Sequence, residues 1–287
     1  MVRLFHLAGV FLFLVACLLR IAGAQETPIA IVTDLQGNAS LSTPAAPTAL
    51  GILNEIKAHA LVQVGSGTRM VVLYYANHQE FVLRGPAMVH FGPQGVESVS
   101  GLVPERGAAL STTVQPGVSI RDKRLVQAGT IMRGSVEWAI LSHPSGQIVD
   151  LRPEFGWSSV GAGASYTLTL RDQQGRDVFE ATTGLSIMAL PQSLELTLGA
   201  AYSWQVAART ANGHRVVRSG KFQVANADMR DKVNLSRPAE DAGLSQWIAY
   251  ALWLEQTELK DDARKVWQRA QQERPDDQHL RRVLGNR

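Results

Sequence analysis

Met70-Val71-Val72-Leu73-Tyr74-Tyr75 is followed, across Asn77-His78, by Glu80-Phe81-Val82-Leu83. These are two short apolar runs rich in β-branched and aromatic residues, separated by a polar pair that tolerates tight backbone. The pattern predicts a β-hairpin. Working outward, Ile29-Ala30-Ile31-Val32, Ala60-Leu61-Val62-Gln63-Val64 and Met88-Val89-His90-Phe91 repeat the motif between clusters of Gly, Pro and Asn. Strands of this length and spacing predict an all-β sandwich or barrel over residues 28–101.

Three segments of this block carry a family resemblance: Gly65-Ser66-Gly67-Thr68, then Glu80-Phe81-Val82-Leu83-Arg84-Gly85-Pro86, then Val96-Glu97-Ser98-Val99-Ser100-Gly101. Together they resemble the FecR-like domain of bacterial envelope proteins. Gly65-Ser66 stands where that family commonly has an acidic residue after the glycine, and Asn77-His78 stands where it has an Asp-Gly turn. The resemblance implies envelope signalling, since the best-known members pass a message from an outer-membrane transporter to a cytoplasmic sigma factor. Here only the residues before Leu7 could remain in the cytoplasm, so any relay is expected to end within the envelope.

Residues 102–151 are punctuated by Pro104, Gly107, Pro116, Gly117 and Gly129, and read as a linker. An edge strand is expected within it at Gly134 to Leu141, where Val136, Trp138 and Ile140 alternate. Residues 152–225 then resemble a fibronectin type III-like sandwich. Pro153-Glu154-Phe155-Gly156-Trp157 opens it, Asp172-Gln173-Gln174-Gly175 and Asn212-Gly213 supply turns, and Gly220-Lys221-Phe222-Gln223-Val224 closes it. Alternation is expected to place Tyr166, Leu168 and Leu170 on one sheet and Tyr202, Trp204 and Val206 on the other.

After a second linker at 226–243 the hydrophobic period changes. Trp247, Tyr250, Ala251 and Leu254 fall at helical spacing, as do Ala263, Val266, Trp267 and Ala270, with Lys260-Asp261-Asp262 at the bend. This predicts a helical hairpin with a capping helix over 244–287. Trp247, Ala251, Ala263, Trp267, Ala270 and Pro275 occupy positions that resemble one tetratricopeptide repeat, with Tyr250 and Leu254 exchanged relative to the usual leucine and tyrosine. A lone repeat leaves an apolar edge, which is expected to dock on a β block or on another protein. Trp247, Tyr250, Leu254 and Trp267 are the candidate partner contacts. The fold class expected is therefore mainly β: two sandwich or barrel-like domains followed by a small α-helical hairpin.

The first 24 residues set the expected compartment. Arg3, the apolar run Leu7 to Leu19 and the small residues Ala22-Gly23-Ala24 form a secretory signal. Cleavage after Ala24 gives a periplasmic or otherwise exported protein. Leu14-Val15-Ala16-Cys17 offers an alternative, lipid anchoring at Cys17, and an uncleaved leader is a third; membrane contact is expected only by those two routes. Cys17 is the one cysteine, so the mature chain is expected to hold no disulfide.

Composition narrows the function. The 45% hydrophobic content excludes a disordered chain. Setting Arg3 and Arg20 aside from the 28 basic residues, against 25 acidic ones, leaves a charge near +1, which argues against nucleic acid as a partner. His59, His78, His90, His143, His214 and His279 show neither an HExxH motif nor a close pair in sequence, and no metal is predicted. Gly65-Ser66-Gly67 and Gly161-Ala162-Gly163-Ala164-Ser165 lack the strand, helix and basic residue of a phosphate loop or nucleophile elbow. Asp261-Asp262 and Asp276-Asp277 read as charges at helix starts. No catalytic residue and no cofactor are expected. The function expected is that of a non-enzymatic envelope protein that binds a protein partner. The alternative is binding of carbohydrate or peptidoglycan, for which Trp138, Trp157 and Trp253 would have to form an exposed row.

Overall fold

A computed structural model of the chain describes residues 27–44, 46–109, 141–278 and 280–281. The leader with Cys17, most of the expected 134–141 strand with Trp138, and His279 lie outside these residues. The protein is mainly β, with helices at its C-terminal end.

The first unit holds ten strands: β1 (Pro28–Gln36), β2 (Ala39–Ser42), β3 (Thr48–Ala49), β4 (Glu55–Lys57), β5 (Leu61–Val64), β6 (Arg69–Tyr74), β7 (Gln79–Arg84), β8 (Ala87–Phe91), β9 (Val96–Gly101) and β10 (Glu105–Ala109). They form two five-stranded sheets, ordered β10-β7-β6-β1-β4 and β3-β2-β5-β8-β9. One core lies between them, centred on Tyr74, whose ring meets Phe81 edge-on at 5.3 Å and whose hydroxyl donates to the Gly92 carbonyl at 3.1 Å. Strand β10 pairs with β7, so this sheet runs past the expected boundary at Gly101 into the segment read as linker. The glycines quoted for the family resemblance do mechanical work. Gly85 donates its N–H to the Thr68 carbonyl at 2.9 Å, and a Cβ there would fall 1.7 Å from the Gly65 carbonyl oxygen.

The second unit contains β11 (Leu141–His143), β12 (Gly146–Ile148), β13 (Glu154–Trp157), β14 (Ser165–Arg171), β15 (Asp177–Thr183), β16 (Ile187–Ala189), β17 (Ala201–Arg209) and β18 (Arg215–Val224). A three-stranded sheet β11-β13-β16 covers a five-stranded sheet β12-β18-β17-β14-β15. The expected division of aromatics between sheets is corrected here. Strands β14 and β17 are neighbours, with Leu168 opposite Val206 and Leu170 opposite Trp204. All six alternating residues therefore face one core from one sheet, and the opposite sheet contributes Phe155 and Trp157. Phe155 meets Trp204 edge-on at 5.1 Å. Period-two alternation identifies a strand's buried face but cannot say which sheet it joins.

Three helices follow: α1 (Ala227–Ser236), α2 (Leu244–Gln256) and α3 (Lys260–Glu273). Helix α1 occupies the stretch expected to be a linker. Its start is fixed by Asn226, whose side chain accepts from the Met229 N–H at 2.9 Å, but it buries only Val233 and Ser236. So few apolar contacts leave little periodic signal in the sequence. Helices α2 and α3 form the expected hairpin, and their core takes in Ile52 from the first unit and Val149 from the second.

The hairpin is wedged between the two β units. Strand β6 is apolar at every position from Met70 to Tyr74 because both of its faces are covered. Met70, Val72 and Tyr74 face the facing sheet, while Leu73 packs with Ile31 of β1 against Ala249 of α2. A polar seam runs beside this contact. Ser245 of α2 meets Thr33 at 2.8 Å and donates to the buried Glu80 carboxylate. Burial pushes the Glu80 carboxyl above its ordinary range, while the Ser245 hydrogen bond and Arg69 pull the other way. On the far side, Asp261 accepts from the Ser145 N–H at 2.8 Å and Asp262 from the Val149 N–H at 3.2 Å. These two acids do sit in the first turn of α3, as read from sequence, yet their carboxylates bond the backbone of the second β unit.

Candidate functional site

Helical spacing assembles a cavity beside this junction. Arg230, Val233, Asn234 and Arg237 stand at i, i+3, i+4 and i+7 on α1 and just beyond its end, so they share one face. Trp247, Tyr250 and Leu254 do the same on α2. Asp262, Lys265, Val266 and Arg269 complete the third side on α3. The loop Val149-Asp150-Leu151-Arg152 of the second β unit, with Glu195, closes the fourth. The cleft is open to solvent on one side and has a volume of about 450 Å³, within the roughly 300–1,000 Å³ of small-molecule sites.

The floor is aromatic. Trp247 is 2% exposed and meets Tyr250 edge-on at 6.2 Å. The Arg269 guanidinium lies 3.9 Å from the centre of the Trp247 ring, a cation–π contact, with Arg237 further off at 5.9 Å. Tyr250 donates to the Val233 carbonyl at 3.4 Å; burial, with Asp262 adding to it, pushes its phenol up to about 12, so it is a neutral donor in the working range. The Trp247 indole N–H is buried without an acceptor among the described residues.

The walls are charged. Arg269 donates to Glu240 at 2.8 Å and Arg237 does so at 3.0 Å. Those two hydrogen bonds hold the Glu240 carboxyl below the ordinary glutamate range. Arg152 pairs with Glu195, and Lys265 stands 3.7 Å from Asp150. Burial pushes the Asp262 carboxyl up, against the pull of Lys265. Arg230 has no ion pair among the described residues. The lining combines an aromatic and aliphatic floor with five basic and three acidic side chains.

No protein-family model matches the chain, and no curated protein matches it. Among solved structures it is similar to the crystal structure of CopC from Methylosinus trichosporium OB3b, at 17% identity over 31% of this chain and 95% of that one, with a TM-score of 0.24. A superposition of that quality assigns neither a ligand nor a role.

The residues singled out from sequence fare differently. Trp247, Tyr250, Leu254 and Trp267 are all buried within the chain, so they do not present the open partner surface expected of them. The β units and α1 cover the hairpin. Trp247, Tyr250 and Leu254 do meet at the cavity, whereas Trp267 lies in the core with its indole donating to Glu255 at 2.8 Å. Trp157 and Trp253, named for the glycan alternative, are 4% and 5% exposed and form no row of open rings.

Other proximities were not legible in sequence. His59 and His90 lie with ring centres 5.7 Å apart, and His90 Nδ1 is 3.6 Å from Glu97. Strand β5 pairing with β8 creates that neighbourhood. No group of three or more His, Cys, Asp or Glu able to hold a metal occurs among the described residues. His143 is half-buried near Asp261 and Arg264; that burial, with Arg264 assisting, holds its imidazole below the ordinary range. A Cβ at Gly156 would fall 2.2 Å from the His143 ring, which ties that glycine to the packing of the histidine.

Proposed function

We propose that this chain is a non-enzymatic binding protein of the cell envelope, with its site in the cavity between the three helices and the second β unit. The carrying observation is the convergence of Trp247, Tyr250 and Leu254 with the charged faces of α1 and α3 around one cleft. The β units act as a frame. The helical hairpin braces them, through Ser245 on one side and Asp261 and Asp262 on the other, and holds the cavity walls at fixed separation. Preorganisation of that kind lowers the ordering cost of binding.

The leader favours export, and among the described residues no helix is long and apolar enough to cross a membrane. The FecR-like resemblance of residues 28–101 supports a place in envelope signalling, with cavity occupancy as the input and a protein partner as the reader.

Ligand-observed NMR with a fragment library tests the site. Fragments that bind the native protein are expected to lose binding in Val233→Trp, which fills the cavity from α1. Hits retained by a folded Val233→Trp protein overturn the assignment. Intact mass of the mature protein tests the location, distinguishing cleavage after Ala24 from acylation at Cys17.

A further inference from the structure

We propose that the cavity takes a small organic acid, with its apolar body against Trp247, Tyr250 and Leu254 and its carboxylate against Arg230. This rests on the cavity being the binding site and adds the ligand's chemical class.

The pairing of the charges points to an anion. Arg152, Arg230, Arg237, Lys265 and Arg269 line the cavity with Asp150, Glu195 and Asp262, while Glu240 and Glu273 pair with its arginines from outside the lining. Four of those five cations already have carboxylate partners: Glu240 serves two of them, Glu195 one and Asp150 one. Arg230 has none among the described residues. It stands one helical turn before Val233 on the cavity face of α1, so its guanidinium is tethered to the site and still open to a planar, two-oxygen acceptor.

The floor selects the rest of the ligand. Trp247, Tyr250 and Leu254, with Val233 and Val266, offer an apolar surface to a ring or branched chain. About 450 Å³ admits one such body and excludes a folded partner. An inorganic anion would leave that floor empty and gain none of its transfer free energy.

Isothermal titration with 4-phenylbutyrate, its neutral amide 4-phenylbutyramide, and inorganic phosphate tests the inference. The acid is expected to bind at least tenfold more tightly than the amide, and phosphate more weakly than either. Arg230→Gln is expected to reduce the acid's affinity to that of the amide without moving the thermal midpoint, since Arg230 makes no ion pair among the described residues. Rising salt is expected to weaken the acid and leave the amide unchanged. Equal binding of acid and amide, or an unchanged acid affinity in Arg230→Gln, overturns the inference and leaves the cavity assignment standing. Phosphate binding as tightly as the acid overturns the role of the apolar floor. Acid binding that survives in a folded Val233→Trp protein overturns the cavity assignment itself.

Discussion

Arg274 donates from Nη2 to Asp34 Oδ1 at 3.2 Å, joining residues 240 positions apart in sequence. Arg274 stands where α3 ends and Asp34 lies on β1, so α3 is fastened to the first unit. Arg69 reaches the other Asp34 oxygen at 2.8 Å, leaving one buried carboxylate between two guanidiniums. Replacing it with a neutral side chain leaves two cations facing each other with their neutralising charge removed. Asp34→Asn is expected to lower stability by about 2–3 kcal/mol, below the usual cost of breaking a buried pair because both arginines are partly solvated. Urea denaturation measures this as a lower midpoint, and an unchanged midpoint would show that the clasp contributes nothing.

The Ser245–Glu80 contact gives the helical junction a pH dependence whose sign can be worked out. Burial raises the Glu80 carboxyl in the folded protein, so the folded state binds a proton that the unfolded state has released. The resulting stabilisation is complete below the unfolded value of about 4.3 and is lost as pH rises through the raised folded value. His143, held low by burial, acts in the opposite sense: its contribution is present above the ordinary histidine value and lost on acidification. Comparing the native protein with Glu80→Gln isolates the first effect. The variant is expected to gain stability relative to the native protein at pH 8 and to show little difference at pH 4. Thermal midpoints across that range decide it; a constant offset at all pH values would rule out titration of Glu80.

Gly85 and Gly67 predict opposite outcomes for the same substitution. A Cβ at Gly85 collides with the Gly65 carbonyl at 1.7 Å, and backbone cannot give way as a flexible side chain would. Gly85→Ala is expected to cost upwards of about 3 kcal/mol and to unfold the first unit in circular dichroism. Gly67 has φ +69° and open space around it. Gly67→Ala is expected to cost about 1–2 kcal/mol from its left-handed backbone and to remain folded.

Trp267 fills the centre of the hairpin, buried to 1% exposure and hydrogen-bonded to Glu255. Trp267→Ala is expected to cost about 3–5 kcal/mol through the cavity it leaves. Trp267→Phe keeps most of the volume and loses the indole donor, so about half that loss is expected. Chemical denaturation of the two variants checks the ratio. Equal losses would place the energy in the hydrogen bond rather than in packing.

The sequence by itself determined the elements. Met70 to Tyr75 and Glu80 to Leu83 announced a hairpin through β-branched density, and the apolar spacing of Trp247, Ala251, Ala263 and Trp267 announced two helices, because side-chain periodicity is a local consequence of backbone geometry. The unbroken apolar run of β6 even carried the mark of a strand covered on both faces, though not the identity of the cover. Helix α1 went unread because its buried face is only Val233 and Ser236; the Asn226 cap was the available signal. Tertiary structure alone decided that β14 and β17 share a sheet, that α2 covers β1 and β6, and that Arg230, Trp247 and Arg269 meet around one cavity. Those relationships depend on contacts between residues far apart in the chain. Local periodicity fixes which face of an element is apolar, but the partner of that face is chosen by shape and charge complementarity over the whole chain.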